Sequence, residues 1–323
     1  MSGLIDEFHY LAGFLAAEGA VRSAAEYRDN FPALVSFARR LKAYALLVPR
    51  CRRKRVLDIG CSLGHGARIL AESAPAVMAV DSGARALAAA GRLRPLENIH
   101  FVRSCARRLP FPDGTFGAVA AFHLVEHLPP SDVVPFLREA RRVTATGGEV
   151  IITTPNRRFR LLPGQRPFNP EHRQEFSCRG FRRALAAVFE DIEVMGIRGR
   201  DWVEEIERAR LRRSPLRAYL RDPLSALAKR ACPGLRGRRR EALEGDGLRR
   251  PRKSEAPALI HVGRDRDKNV APTIGLTSAQ KLSMWEGLSA PIGRGREISL
   301  DDYWADDRNP ERGIDLLAVC RKT

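Results

Sequence analysis

Val56-Leu-Asp-Ile-Gly-Cys-Ser-Leu-Gly-His-Gly66, followed by Val77-Met-Ala-Val-Asp-Ser82, decides how this chain folds. Val56, Leu57 and Ile59 make a short aliphatic run with basic residues before it and glycines after it, the pattern of a parallel strand buried on both faces. Gly60, Gly64 and Gly66 let the chain turn sharply and approach a ligand closely, because no Cβ stands in the way. Residues 67–72 open a helix whose free N–H groups favour an anionic partner. Asp81 ends the second apolar run, where an acidic side chain can accept hydrogen bonds from both hydroxyls of a ribose. Strand, glycine turn, helix and acid-terminated strand together describe a nucleoside-binding βαβ unit.

The glycine order narrows the class. A nicotinamide or flavin fingerprint reads G-x-G-x-x-G, whereas this chain reads Asp58-x-Gly60-x-x-x-Gly64-x-Gly66. That spacing resembles motif I of the class I S-adenosylmethionine (SAM)-dependent methyltransferases. Further motifs follow in the same order: Phe101-Val-Arg-Ser-Cys-Ala-Arg-Arg-Leu-Pro-Phe-Pro-Asp-Gly-Thr-Phe116, then Glu126-His127-Leu128, then Gly147-Gly-Glu-Val-Ile-Ile-Thr-Thr-Pro-Asn156. They resemble the small-molecule branch of that family over residues 54–197.

The resemblance implies an α/β fold with a doubly wound, seven-stranded, mostly parallel sheet, and SAM as cofactor. It implies that Asp58, Gly60, Cys61, Gly64 and Gly66 hold the methionine end of SAM. Asp81 and Ser82 would meet the ribose, Ser104 and Cys105 the adenine, and Phe122 and His123 would wall the pocket. Relatives usually carry an Asp at the position of Cys105. A thiol is a poor acceptor, which leaves Ser104, a backbone carbonyl or plain packing to hold adenine.

A chain of 323 residues can bury a full core, and one α/β domain with insertions is the natural reading. No apolar run approaches the roughly 18 residues that span a bilayer, and Asp6 and Glu7 stand where a basic leader would be, so a cytoplasmic protein is expected. The six cysteines, Cys51, Cys61, Cys105, Cys178, Cys232 and Cys320, show no C-x-x-C pair and read as reduced thiols. The net charge of +18 is unevenly placed: residues 200–253 hold 17 basic against 8 acidic residues. Of all 56 basic residues 49 are Arg, a skew that a GC-rich genome produces by itself.

Periodicity and composition divide the chain into N-terminal helices over residues 1–50, which the resemblance implies are a lid, a core over 51–199, which it implies binds SAM, a basic insertion over 200–257 and a C-terminal part, 258–323, expected to complete the sheet. Phe8, Leu11, Leu15, Leu34, Phe37, Leu41, Tyr44, Leu47 and Val48 recur at helical steps around a break at Asn30-Phe-Pro32. Such helices either cover the pocket or simply pack on the sheet. Strands are expected at 55–59, 76–80, 99–102, 117–122, 149–154, 190–196 and 314–321, and a helix at 177–189. Residues 202–229 fit two helices broken at Ser214-Pro215, residues 233–257 have little to bury, and residues 258–262 are strand-like. Ser299-Leu-Asp-Asp-Tyr-Trp304 reads as a capped helix start.

Methyl transfer needs a nucleophile brought to about 3 Å from the activated methyl and aligned with it; a hydroxyl acceptor also needs a base. His123 and His127 follow the fourth strand, and Asn169-Pro-Glu-His-Arg-Gln-Glu-Phe-Ser177 follows the fifth, both at carboxyl ends of parallel strands where ligands bind. The latter segment resembles a loop of methyltransferases associated with sugars and polysaccharide assembly. His172 is the first choice as base, the alternative being that it pins its loop with Glu175. His127 fits loop fixation or contact with the methionyl group better than catalysis, and His123 fits a pocket wall better than a base. Asp301-Asp302 and Asp306-Asp307 do not make a metal site without partners from elsewhere, and no metal is expected. Trp285, Tyr303 and Trp304 either wall the acceptor site or pack in the core.

Three readings follow. The first is O-methylation of a small-molecule or glycan acceptor. The second keeps the enzyme but uses the basic insertion to hold a nucleic acid or an anionic membrane surface; it lacks interleaved aromatics for base stacking. The third is a non-catalytic SAM-binding relative.

Overall fold

The computed structural model describes residues 4–17, 23, 30–92, 96–163, 165–167, 169–211, 289–291 and 297–323. Two N-terminal helices come first, α1 (Leu4–Ala17) and α2 (Phe31–Cys51). Asn30 Oδ1 accepts from the Ala33 N–H at 3.1 Å, so the expected break is the N-cap of α2, with proline in the first turn where its missing N–H costs nothing.

The nucleotide-binding half alternates β1 (Arg55–Ile59), α3 (His65–Ala71), β2 (Ala76–Asp81), α4 (Ala84–Arg92) and β3 (Ile99–Arg103). The second half runs β4 (Phe116–Phe122), α5 (Pro130–Val143), β5 (Thr144–Pro155), the single turn α6 (Arg157–Arg160), α7 (Cys178–Ala186), β6 (Asp191–Gly199) and α8 (Asp201–Leu211). A small hairpin, β7 (Ser289–Pro291) with β8 (Glu297–Ser299), precedes β9 (Tyr303–Asp306) and β10 (Asp315–Arg321).

The main sheet has the order β3-β2-β1-β4-β5-β10-β6-β9. Neighbours from β3 to β5 are parallel, and β10 enters antiparallel between β5 and β6. This is the expected doubly wound sheet with one correction: it has eight strands, not seven. The extra strand, β9, pairs antiparallel with β6 and comes from the stretch that reads as a helix start. The cap itself forms, since the Ser299 N–H donates to Asp302 Oδ2 at 2.8 Å, but it closes only a 3₁₀ turn at Leu300–Asp302. Beyond it the side chains alternate, Tyr303 buried and Trp304 42% exposed, which is a strand period and not a helical one.

Tyr303 is therefore core: its hydroxyl donates to the Val35 carbonyl at 2.6 Å, and neither it nor Trp304 walls the cavity described below. Trp285, Cys232, the strand-like residues 258–262 and all but the first helix of 200–257 lie outside the described residues.

Both faces of the sheet are covered, which is why its strands read as continuous apolar runs. Alternate residues go to opposite sides: Val56, Val77, Ala118 and Leu317 pack with α2 and α3, while Leu57, Val80, Val119 and Leu316 pack with α5 and α7. No helix among the described residues is long and apolar enough to cross a membrane.

Candidate active site

A cavity of about 750 Å³ opens at the carboxyl ends of β1, β4 and β5, beneath α1 and α2. Its floor is the glycine turn. Gly60 (φ +80°) and Gly64 (φ +74°) occupy the left-handed region that glycine adopts without strain. The Gly60 and Cys61 N–H groups donate to the Val80 carbonyl at 2.7 and 3.1 Å, fastening the turn to the end of β2. Asp81 completes the clasp, accepting from the Ser62 N–H at 2.9 Å and from the Gly83 N–H at 2.7 Å.

Gly66 is required for a different reason. A Cβ there would lie 2.0 Å from the Tyr44 ring, which α2 lays against the turn. Gly66→Ala is expected to destabilise the protein by about 1–3 kcal/mol through overpacking, seen as a lower Tm, with part of the loss recovered by adding Tyr44→Leu. An unchanged Tm would mean that α2 withdraws freely from the turn.

Tyr44 also donates its hydroxyl to Asp58 Oδ1 at 3.1 Å, while Asp58 Oδ2 is buried with no hydrogen-bond partner. Burial pushes the Asp58 carboxyl up to about 7, the Tyr44 hydrogen bond opposing and Asp81 reinforcing the shift. Gly60, Cys61, Gly66, Phe122 and His123 line the cavity; Asp58, Gly64, Asp81, Ser82, Ser104 and Cys105 are not among its walls. The Ser104 hydroxyl donates to the Arg108 carbonyl at 3.0 Å, and Cys105 is exposed.

The opposite wall is built by the loops after β4 and β5. The chain leaves β4 through His123, held at φ 52°, a strained value for a side-chain-bearing residue. The loop after β5 is tied back to it, the Arg173 and Gln174 N–H groups donating to the Glu126 carbonyl at 2.8 and 3.3 Å. This tie sets the His172 ring edge-on to His127, centroids 4.8 Å apart. His172 Nδ1 lies 3.0 Å from Glu175 Oε1, which Arg160 Nε approaches at 3.5 Å. An Nδ1–H donated to a carboxylate fixes the tautomer and leaves Nε2 as the basic nitrogen. Burial holds His127 below the usual imidazole value.

His123 has a different environment. Its Nδ1 is 3.3 Å from Glu126 Oε1 and its Nε2 is 3.1 Å from Asp315 Oδ2. Burial works against the imidazolium, but Asp315 and Glu126 outweigh it, and the pKa is raised. With both nitrogens facing carboxylates, His123 is placed to hold charge and not to accept a substrate proton. Asp315 also accepts from Arg39 Nε at 2.7 Å, and Arg39 reaches Glu207 as well. Arg39, Glu207 and Asp315 carry no motif; a buried arginine on an otherwise apolar helix face is the only sequence signal they leave.

A glycine turn clasped by Asp81 at the end of β2 thus shares its cavity with His172, whose Nδ1 is held by Glu175. Comparison with known proteins gives one family match: residues 57–152 match the methyltransferase-domain family. It is similar to a protein of Mycobacterium tuberculosis named "Probable S-adenosylmethionine-dependent methyltransferase", 34% identical over 163 residues, covering 50% of this chain and 58% of that protein. It is also similar to the fatty-acid O-methyltransferase of Mycolicibacterium smegmatis, 30% identical over 168 residues, covering 49% of this chain and 61% of that one. Among solved structures, the YcgJ protein of Bacillus subtilis matches with 24% identity and a TM-score of 0.40, covering 53% of this chain and 78% of that one. The chain thus spans about three fifths of the length of these curated relatives.

Proposed function

We propose that the protein transfers the methyl group of SAM to a hydroxyl on a small molecule or carbohydrate, with His172 as general base. The observation that supports this is that His172, its Nδ1 held by Glu175, lines the same cavity as the glycine turn. The cofactor supplies an activated sulfonium methyl; the chain's task is to bring the acceptor oxygen in line with it and to take the proton. His172 Nε2 accepts that proton while Glu175, on the far nitrogen, stabilises the imidazolium that forms. His123 holds the β4 loop through Glu126 and Asp315, and His127 flanks the base. In this reading the turn from Asp58 to Gly66 holds the methionyl end, Asp81 and Ser82 the ribose, and Ser104 with the Cys105 backbone the adenine.

Leu11, Leu15 and Phe37 give the cavity an apolar side, which suits a hydroxyl carried on a partly apolar body. The described cysteines are free thiols, in keeping with the reducing cytoplasm that the proposal assumes. The alternative acceptors, RNA or an anionic lipid, depend on residues 200–257, of which the described residues reach Leu211. The direct test is release of S-adenosylhomocysteine on incubation with SAM and a panel of hydroxylated small molecules and glycans. SAM binding without turnover on any of them, but with salt-sensitive binding to RNA or anionic vesicles, would replace the acceptor class.

Asp58 gives the cofactor site a pH dependence. SAM carries positive charge, which favours the ionised carboxylate over the protonated one. Because the free protein holds Asp58 near 7, affinity for SAM is expected to rise from about pH 6 to about pH 8 with uptake of SAM coupled to proton release, up to about tenfold per pH unit below the pKa. Calorimetry in buffers of different ionisation enthalpy measures that proton, and Asp58→Asn should flatten the profile. A profile equally steep in the variant would assign the proton to another group.

A further inference from the structure

Glu126, His127 and His172 each direct one metal-ligating atom into a common space, the three atoms lying within 4.8 Å of one another. Two of these residues come from the loop after β4 and one from the loop after β5, so the grouping exists only because the Glu126 carbonyl ties the two loops together. Glu126 is fully buried, and its Oε1 has no hydrogen-bond partner, the nearest imidazole nitrogen being His123 Nδ1 at 3.3 Å. Its other oxygen accepts from the Thr154 hydroxyl at 3.1 Å, which fixes the carboxylate plane. His172 has the outer-shell partner of a metal-binding imidazole, its Nδ1 held by Glu175 at 3.0 Å.

We infer that these three side chains form a site for a borderline-soft divalent transition-metal ion such as Zn²⁺, and that its occupancy removes His172 from proton transfer. The donor set is two imidazoles and one carboxylate, which suits Zn²⁺ or its neighbours and not Mg²⁺ or Ca²⁺, whose shells are made of oxygen. Three protein ligands on a cavity wall leave the fourth position open to water or acceptor. Bonds of about 2.0–2.1 Å set tetrahedral ligand atoms about 3.3 Å apart, so the cluster contracts on binding. The second part of the inference rests on the proposed role of His172: its Nε2 has one lone pair, which serves either a proton or a metal ion.

The test is calorimetric titration of the full chain with ZnCl₂ and, separately, MgCl₂, beside His127→Gln and His172→Gln variants checked for folding by circular dichroism. In parallel, S-adenosylhomocysteine release is followed with EDTA and with graded Zn²⁺. The expected result is one Zn²⁺ per chain, at least tenfold selectivity over Mg²⁺, affinity weakened a hundredfold or more in both variants, and turnover falling in proportion to occupancy. Absence of saturable Zn²⁺ binding, or binding that both folded variants retain, overturns the site. Binding at these residues that raises turnover overturns the competition with the base, and with it the role of His172, while the site stands. Site-specific binding in a chain with no turnover supports the site and counts against the methyltransferase activity instead.

Discussion

Replacing His172 with alanine is expected to slow methyl transfer by about two to four orders of magnitude, the range contributed by a positioned general base, with SAM affinity unchanged. The separation of the two effects follows from the geometry. His172 and its Glu175 partner sit on the loop after β5, whereas the glycine turn proposed to hold SAM is fastened by Val80 and Asp81 at the end of β2. Single-turnover measurement of the chemical step, beside calorimetry with SAM, separates them. Glu175→Gln should fall between wild type and His172→Ala, because the amide no longer stabilises the imidazolium but still occupies the space. A His172→Ala variant with full turnover would reduce the loop to the pinning role that its contact with Glu175 equally fits.

The largest effect on stability is expected at Arg39. Its guanidinium is 2% exposed and joins α2 to β10 through Asp315 and to α8 through Glu207. Removing one partner of a buried ionic cluster leaves the others charged in a poor solvent, at a cost of about 3–5 kcal/mol. Arg39→Leu should therefore lower Tm by roughly 10 °C for a domain of this size. A double variant that also neutralises Asp315 should be less destabilised than the two single losses added together, since the sites share one network. Strict additivity would show that the three groups do not act as a unit.

The same network sets the pH dependence of folding. Burial alone would raise the Asp315 pKa, but Arg39 and then His123 outweigh it and hold the carboxyl below its usual 3.8. Its contribution is therefore present above that value and lost as pH falls through the lower folded value. His123 has the opposite sign: raised above its usual 6.5, it contributes fully below that pH and loses its contribution as pH rises through the folded value. Asp58, pushed up to about 7, also favours the folded state on the acid side. Tm measured against pH should peak near the usual carboxylate value of 3.8, decline as Asp58 ionises towards about pH 7, and decline further above pH 6.5 through His123. A flat curve across neutrality would mean that folding does not raise the His123 pKa.

The amino-acid sequence determined the parts that depend on local pattern. The apolar runs placed β1, β2, β4, β5, β6 and β10, the glycines and Asp81 placed the turn between β1 and α3, and Asn169–Ser177 placed the candidate base next to Glu175. Each rests on residues close together in the chain, where periodicity and missing Cβ atoms act directly on the backbone. Tyr303 and Trp304 show the limit of that reading. Their capped start looks helical, and only the free edge of β6, reached after a long excursion, turns them into a strand.

The charged wall of the cavity was decided wholly by the tertiary structure. Arg39 and Asp315 are 276 positions apart, and His123 meets Asp315 only because β10 inserts antiparallel next to β5. Glu126, His127 and His172 converge only when the two loops are tied by the Glu126 carbonyl. Which of these groups meet is not written in the pattern of the chain, because a buried charge is selected by the partners that desolvation forces upon it, and those partners are assembled by closing the sheet.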